Sequence, residues 1–409
     1  MRPRRIVRAI AVLLVATLAA ACLETKATDD APQPSLDANA LGFLPLVAAT
    51  TCPRTTNCYE PTIAADPQGR LFVSDGGTSD VGVSADGGVT WTTTKPPPMP
   101  AGLNGRQGDI IVQVSPSGRL YWSALVIVQP QGQGFVLEGL QIAWSDDGAQ
   151  TWAGNVHLSP ATLAPQVVSP DRQWLGFGPG QTMYVTYNQV PTGIWIARSD
   201  DAGKTWSAWT RAAPLEGRRG GIGQSGPPVV DASGRVFVPA CSLQDGTTFV
   251  FSSQDRAATF RATEVPGGCN WFPILAITSE DELVLAVQPG NVRIASSKDQ
   301  GRTFTAMKDW ARGATAAAWP VPLGNGSIAV AWFKVGASST ELHVTFGDIA
   351  TGPRTDLTVG TTKGTSGQSS ALTDFASATS LPDGRLATVL VQGKEALVSL
   401  TGVPIPRAP

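Results

Sequence analysis

Five stretches of the chain share the pattern Ser-x-Asp-x-small-x-Thr-aromatic, called here the Ser-x-Asp repeat. They read SADGGVTW, SDDGAQTW, SDDAGKTW, SSQDRAATF and SSKDQGRTF, and the serine of the pattern is residue 84, 145, 199, 253 and 297. These serines are 61, 54, 54 and 44 residues apart, close to the length of one four-stranded propeller blade. A repeat at this period constrains the fold more than any other feature, because each copy marks one unit of a repeated architecture.

The chemistry of the repeat predicts a polar turn that leads into a strand. An Asp side chain can accept hydrogen bonds from backbone N–H groups a few residues on, and the small residue admits a left-handed backbone. The Thr-aromatic pair is expected to open the next strand and to place its ring in a core. The pattern resembles the Asp box, or bacterial neuraminidase repeat, of sialidases and many other β-propellers. In that superfamily the box is a folding element on the face away from the active site, so we interpret the copies as structural.

A second repeat gives the number of blades. Seven turns each lead into an apolar strand, and each follows a short apolar run suited to a buried inner strand. The turn segments are DPQGRLFV, SPSGRLYW, GPGQTMYV, DASGRVFV, SEDELVLA, LGNGSIAV and LPDGRLAT. The inner runs are PTIAA, DIIVQV, QWLGF, PPVV, FPILAI, PVPL and SATS. The sequence therefore predicts an all-β chain, a seven-bladed β-propeller, with six blades as the alternative.

The last unit is incomplete. Residues 374–402 supply three strands, and the apolar segment GFLPLVAAT at 42–50 is expected to add the outer one and close the ring. The alternative is that this segment is only a packed leader. We therefore predict one propeller over 42–402, followed by a C-terminal tail at 403–409. The 44 glycines and 32 prolines suit the many tight turns that such a fold requires.

The N-terminus predicts export. A basic start, MRPRRIVR, precedes 13 apolar residues, which are too few to span a bilayer. Residues 1–21 are read as a signal peptide. LAAAC resembles a bacterial lipobox, although Ala19 stands where leucine is more typical, and this implies a lipidated Cys22 followed by a flexible tether at 22–41. The expected location is the bacterial cell envelope, outside the cytoplasm and anchored to the membrane; ordinary secretion is the alternative.

Four further cysteines allow three pairings in an exported chain. Blade topology puts Cys241 and Cys269 on one face in neighbouring blades, and Cys52 and Cys58 flank one short loop. We predict disulfides 52–58 and 241–269. The cysteine spacings do not suit a metal site, and only His157 and His343 could assist, so no metal and no cofactor are expected.

Charge argues against a nucleic-acid partner. Without the four arginines of the signal peptide, 26 basic residues face 32 acidic ones, which gives a net charge near −6. No phosphate-binding loop or metal-binding helix motif stands in a plausible context. We expect a monomer whose partner is a glycan or an envelope protein.

The same topology predicts where a ligand would bind. The starts of the inner strands face one another across the central channel on one face, called here the top face. Residues at or near these starts are Glu60, Asp109, Asp171, Arg172, Trp174, Ser225, Asn270, Trp271, Trp319 and Asp374, with Arg106, Arg218, Arg219 and Arg312 just upstream.

Arginine can grip a carboxylate and tryptophan can stack on a sugar. The predicted ligand-binding residues are Arg172, Trp174, Asn270, Trp271, Trp319, Asp374, Arg106 and Arg312. The candidate catalytic residues are Glu60, Asp109 and Asp171. We expect substitution of Arg172 to weaken ligand binding and to leave the fold intact. The alternative is that these residues tie the blades together around a water-filled channel.

The resemblance to sialidases does not extend to their catalytic set. Sialidases use three arginines, an Arg-Ile-Pro element, an Asp acid and a late Tyr nucleophile paired with Glu. Here no tyrosine follows Tyr187 and Arg-Ile-Pro is absent. DRQWL at 171–175 and EPTIAAD at 60–66 resemble elements of sialidase-like propellers of unassigned activity. Three functions stay open: a binding propeller, a glycoside hydrolase without sialidase activity, and an envelope assembly factor similar to those that assist photosystem assembly.

Overall fold

The computed structural model describes residues 42–53, 58–129, 136–160, 170–189, 193–212, 222–242, 245–269, 272–313, 318–336, 338–363 and 374–405. Within these ranges the regular structure is entirely β-strand. No helix in the described part of the chain is long and apolar enough to cross a membrane.

The strands form seven antiparallel sheets, the blades of a seven-bladed β-propeller. Blade 1 comprises β2 (Thr62–Ala65), β3 (Leu71–Asp75), β4 (Thr78–Ser84) and β5 (Thr92–Thr94). Blade 2 comprises β6 (Gly105–Val114), β7 (Leu120–Val128), β8 (Val136–Ser145) and β9 (Gly154–Leu158). Blade 3 comprises β10 (Pro170–Phe177), β11 (Met183–Gln189), β12 (Gly193–Ser199) and β13 (Thr210–Arg211).

The remaining blades follow the same order. Blade 4 comprises β14 (Ile222–Ser225), β15 (Val229–Val230), β16 (Val236–Ser242), β17 (Thr248–Ser253) and β18 (Arg261–Val265). Blade 5 comprises β19 (Ile274–Ile277), β20 (Leu283–Val287), β21 (Asn291–Ser297) and β22 (Lys308–Arg312). Blade 6 comprises β23 (Trp319–Gly324), β24 (Ser327–Val335), β25 (Ser339–Asp348) and β26 (Gly352–Lys363). Blade 7 comprises β27 (Ser377–Ser380), β28 (Leu386–Gln392), β29 (Glu395–Leu400) and β1 (Val47–Thr51).

The N-terminal strand closes the ring. β1 pairs antiparallel with β29, with Val47 opposite Val398 and Thr51 opposite Glu395. The predicted outer strand of the last blade is therefore confirmed. This pairing satisfies backbone groups that would otherwise form an exposed sheet edge.

The first strand of each blade faces the central channel. First strands of neighbouring blades contact one another, as β2 does with β6 and β27. Side chains join them across the blade boundaries: the Ser377 hydroxyl accepts from the Ile63 N–H at 3.1 Å, and the Thr62 hydroxyl accepts from the Val112 N–H at 3.0 Å. The inner ring is thus a hydrogen-bonded unit as well as a packed one.

An apolar core lies between each pair of neighbouring blades, seven in all among the described residues. The core between blades 1 and 2 contains Phe72 and Trp122, both without exposed surface. Burial of one large apolar side chain contributes about 1.5–3 kcal/mol. Stability is therefore spread over the blade interfaces, as the alternation along the strands predicts.

Each Ser-x-Asp repeat folds through the same hydrogen bonds. In the third copy the Ser199 hydroxyl donates to Asp201 at 2.8 Å, and Asp201 also accepts from the Thr205 N–H at 2.9 Å and the Thr205 hydroxyl at 2.6 Å. Trp206 lies before the outer strand and not in it, half-buried, with its indole N–H donating to Gly203 O at 2.9 Å. The ring packs against the core between blades 2 and 3, so the repeat ends in a core residue.

Both predicted disulfides are confirmed. Cys52 pairs with Cys58 and Cys241 pairs with Cys269, with Cα–Cα distances of 5.5 and 5.9 Å. The first bond joins the segment that follows β1 to the segment that precedes β2, and the second fastens the segment before blade 5 to strand β16 of blade 4.

Candidate functional site

Three residues of the inner ring adopt a left-handed backbone: Glu60 just before β2, and Asp109 and Arg172 at the pairing irregularities within β6 and β10. The φ angles are 50° at Glu60, 47° at Asp109 and 54° at Arg172. This conformation is uncommon for residues other than glycine, and it costs on the order of 1 kcal/mol each. Strain of this kind concentrates at functional sites, and here it occurs in three successive blades at equivalent positions.

Arg172 ties three blades together beneath the top face. Its guanidinium donates hydrogen bonds to Glu60 of blade 1 and to Asp374 of blade 7, the latter at 2.5 Å. The side chain is buried, and its guanidinium lies 5.4 and 5.7 Å from the ring centres of Phe272 and Phe375. Burial acts to lower the pKa of Arg172, but the surrounding carboxylates outweigh this and raise it. Arg172 is therefore a buried, fixed cation whose Nη2 donates to both carboxyls.

Glu60 has an unusual protonation equilibrium. Burial raises the pKa of its carboxyl to about 8, and the neighbouring Arg172 offsets this only in part. One carboxyl oxygen accepts from Arg172, while the other is buried without a hydrogen-bond partner in the described part of the chain. A proton on Glu60 would remove the cost of burying a charge there.

Asp109 and Asp171 form a carboxyl pair at the mouth of the channel. Both are half-exposed, and their side chains lie within hydrogen-bonding reach of each other. Burial raises the pKa of Asp171, Arg172 opposes this, and Asp109 raises it further. The raised pKa favours a proton on Asp171, because two carboxylates in contact do not both ionise readily.

Tyr59 completes this part of the site and was missed by the sequence analysis. Its phenol is hydrogen-bonded to Arg106. Burial is the main cause of the raised pKa of the phenol, and the nearby carboxyl groups of Asp109 and Glu60 raise it further. The ring lies against Gly76, where a Cβ atom would sit 2.1 Å from it. The signal in the sequence is its position directly before Glu60, at the start of an inner strand. Tyr59, Arg106, Asp109 and Asp171 are called here the axial mouth.

An aromatic cluster lies below the charged residues. Trp174 and Ile111 stand two residues beyond Arg172 and Asp109 along their strands, and they pack with Phe272, Ile274 and Phe375. Trp174 has no exposed surface, and its indole N–H donates to Ser225 O at 2.9 Å. This cluster gives the channel a dry, rigid floor directly under Arg172.

The predicted ligand-binding residues therefore separate into groups. Arg172 and Asp374 join Glu60 under the mouth, Arg106 lies in the mouth, and Trp174 lies in the floor. Trp319 is half-exposed, with its ring 6.0 Å from that of Trp174. The ligand roles of these residues stay predictions; the buried position of Trp174 leaves no surface for direct stacking.

Other predicted residues lie elsewhere. Arg312 is exposed at the end of β22, the outer strand of blade 5, beside a cavity lined by Trp310, Trp332 and Lys334. The structure thus does not bring Arg312 to the channel. The residues that fall outside the described ranges are Cys22, Arg218, Arg219, Asn270 and Trp271.

Comparison with known proteins identifies the architecture. No protein-family model matches the chain, and no curated protein matches it in sequence. Solved structures match in fold. The chain has the fold of the sialidase-like propellers. A streptogramin B lyase superposes with a TM-score of 0.55 at 14% identity, covering 88% of this chain and 99% of the lyase.

Two glycan-directed enzymes are similar in fold as well. An α-L-arabinanase of Penicillium chrysogenum, complexed with arabinobiose, gives a TM-score of 0.53 at 14% identity over 76% of this chain and 99% of the enzyme. The Hadza microbial sialidase Hz136 gives 0.51 at 13% identity over 81% of this chain and 73% of the sialidase. Likeness at these identities concerns the fold alone.

Proposed function

We propose that the protein is an exported, lipid-anchored propeller that binds a glycan or another polar ligand at the axial mouth. The observation that carries the proposal is the left-handed backbone of Glu60, Asp109 and Arg172. Three strained residues at equivalent positions converge on one end of the channel, and such strain persists where the side chains placed by it are needed.

The charges of the mouth favour an uncharged, hydroxyl-rich ligand. Arg172 is buried and its Nη2 already donates to Glu60 and Asp374, so a ligand carboxylate has little access to it. Asp109 and Asp171 are half-exposed acceptors, and Arg106 is an exposed donor. Sugar hydroxyls can donate to the carboxyls and accept from the guanidinium at the same time.

Glycoside hydrolysis is the second candidate function. Burial and Asp109 raise the pKa of Asp171, which suits a general acid. The hydrogen-bonded Asp109 lies closer to it than the roughly 5 Å or more that separates the two carboxyls of a glycosidase, so the base would have to be another group or a bound water. The fold neighbours that are an arabinanase and a sialidase favour this candidate over other chemistries. Sialoside hydrolysis is not expected, because the raised pKa of Tyr59 keeps its phenol neutral and weakly nucleophilic.

Export and anchoring are supported by the N-terminal pattern and by the two disulfides, which suit an oxidising compartment. Metabolic labelling with a fatty acid tests the anchor. Label is expected in the wild type and absent from Cys22→Ala, and equal labelling of both would contradict the anchor.

Calorimetric titration tests ligand binding. The full chain is titrated with uncharged oligosaccharides, such as arabinotriose and chitotriose, and with the acidic sialyllactose, and products are analysed in parallel. Asp171→Asn is expected to weaken binding of an uncharged probe about tenfold or more. The control Asp309→Asn, on the outer strand β22, is expected to bind as the wild type does. Equal binding by Asp171→Asn, or preference for the acidic probe, would contradict the proposed mouth.

A further inference from the structure

A second cavity opens on the bottom face, the end of the propeller that carries the turns between first and second strands. Its volume is about 820 Å³, and it is lined by the turns of blades 1 to 4, chiefly those of blades 2 and 3. This volume falls within the range of about 300–1,000 Å³ that is typical of small-molecule sites. None of its lining residues belongs to the axial mouth.

Four turns between first and second strands border the cavity, and they are of two kinds. In blades 1 and 4 the turn begins with an aspartate that accepts from an arginine four residues on: Asp66 from Arg70 and Asp231 from Arg235, each at 2.5 Å. In these blades the guanidinium folds back over its own turn.

Blades 2 and 3 lack this arrangement. In blade 2, Ser115 replaces the aspartate, and Arg119 turns outward to Asp146, which accepts from it at 2.6 and 3.0 Å. In blade 3 the turn runs from Gly178 to Thr182 and contains neither a carboxylate nor a guanidinium. Without a guanidinium folded over either turn, the space between these blades stays open.

The groups around the cavity are held in place by their neighbours. Asp146 holds the Arg119 guanidinium from one side, and the ring of Trp144 lies 5.9 Å from it. The Tyr121 hydroxyl donates to Ala202 O at 3.2 Å, and the half-buried ring of Phe177 lies 5.2 Å from the ring of Tyr121. A site held in this way loses little conformational freedom when a ligand binds.

The chemistry of the lining indicates the ligand. Arg70 and Arg119 are each paired with a carboxylate, so the cavity carries no strong excess of charge. The exposed side chains of Gln68 and Gln181 add amide donors and acceptors, and Phe177 adds an aromatic face. The lining thus offers paired guanidinium and carboxylate groups, amides and an aromatic face. The polar groups suit the vicinal hydroxyls of a sugar, and the aromatic face suits the C–H face of its ring.

We propose that this cavity is a second binding site, specific for an uncharged oligosaccharide. The site is independent of the axial mouth, because the two lie on opposite faces and share no residue. A propeller with a site at each end could hold two segments of glycan at once, and its avidity for a polymer would exceed its affinity for a short fragment.

The test uses the full chain carrying Asp171→Asn, which isolates the bottom face from the mouth. Cellotriose, chitotriose, maltotriose and arabinotriose are titrated calorimetrically, with sialyllactose as the charged comparison. At least one uncharged probe is expected to bind. Adding Gln68→Ala and Gln181→Ala is expected to weaken that binding about tenfold or more. Both side chains are exposed, so the fold should persist.

Gln254→Ala is the matched control, since Gln254 is an exposed glutamine in a Ser-x-Asp repeat on the same face and does not line the cavity. It is expected to leave binding unchanged. Failure of all four probes to bind at millimolar concentration would overturn the second site, as would binding that the two glutamine substitutions leave unchanged. Loss of every uncharged probe with Asp171→Asn alone would place all of the binding at the mouth and would also contradict the second site.

Discussion

The guanidinium of Arg172 lies 2.5 Å from the carboxylate of Asp374, although 202 positions separate the two residues in the sequence. Arg172 belongs to blade 3 and Asp374 immediately precedes blade 7. With Glu60 of blade 1, they form a charged tie across the channel, directly above the aromatic floor. The tie holds two of the three strained residues, Glu60 and Arg172, at one end of the channel.

Replacing Arg172 is expected to destabilise the protein. Arg172→Met leaves Asp374 with little exposure and without a cation, a situation that costs up to about 3–5 kcal/mol. The free energy of unfolding, measured by chemical denaturation, should fall by that order. Arg172→Met combined with Glu60→Gln and Asp374→Asn should recover part of the loss, because no unpaired charge remains.

This expectation differs from the one based on sequence, in which Arg172 binds ligand without being needed for the fold. If Arg172→Met is as stable as the wild type and binds oligosaccharides more weakly, the result would favour a ligand-binding role for Arg172. Lower stability that the triple variant does not restore would contradict the tie.

Stability is expected to depend on the protonation of Glu60. Its pKa is raised from 4.5 to about 8, so the proton bound in the folded state stabilises it. That contribution is fully present below about pH 4.5 and is lost as pH rises to about 8, with a slope of at most about 1.4 kcal/mol per pH unit. Denaturation between pH 5 and 8 should show this decline in the wild type. Glu60→Gln should flatten it, and an unchanged slope would contradict the raised pKa.

The fold could be predicted from sequence because the repeats are local. Each turn and each Ser-x-Asp repeat contains the residues that fold it, as Ser199, Asp201 and Thr205 show. Closure of the ring was also predictable, because three strands in the last blade leave one edge open. The position of Trp206 before the outer strand could not be predicted, because it depends on the hydrogen bond from its indole N–H to Gly203 O in the turn.

The site was predictable in place but not in detail. Inner-strand starts meet at the channel by topology, and this brought Glu60, Asp171 and Asp374 into the candidate set. Which groups would pair depends on backbone conformations such as the left-handed Asp109, and no local pattern specifies them. Arg312 was expected at the channel because it precedes an inner strand. It lies instead in the outer strand of blade 5, where it pairs with Asn291 of the neighbouring strand β21.

The disulfides are expected to differ in their contribution. Cys241–Cys269 closes a separation of 28 residues and Cys52–Cys58 one of 6. Loss of chain entropy in the unfolded state predicts stabilisation of about 4 and about 2 kcal/mol respectively. Denaturation of the two paired Cys→Ala variants measures this. A larger loss of unfolding free energy on removing Cys52–Cys58 than on removing Cys241–Cys269 would contradict this dependence on loop length.

The Ser-x-Asp repeats are expected to weaken in acid. Hydrogen bonds from Thr and Ser lower the pKa of the central aspartate to about 2 in each copy. Since these values are below those of an unfolded chain, the stabilisation is present above about pH 4 and is lost as pH falls toward 2. Asp201→Asn should reduce the acid slope of the unfolding free energy, whereas the exposed Asp309→Asn should not. Equal slopes in both variants would argue against this role of the repeat.

The most direct test of the axial mouth is the effect of Asp109→Gly on stability and binding. If Asp109 adopts its left-handed backbone to serve a ligand, glycine relieves that strain, and the protein should be as stable as the wild type or up to about 1 kcal/mol more stable. Titration of the same variant should show weakened binding of the uncharged oligosaccharides at the mouth. A variant that is clearly less stable and binds them as the wild type does would show that Asp109 serves the fold, and would contradict the proposed site.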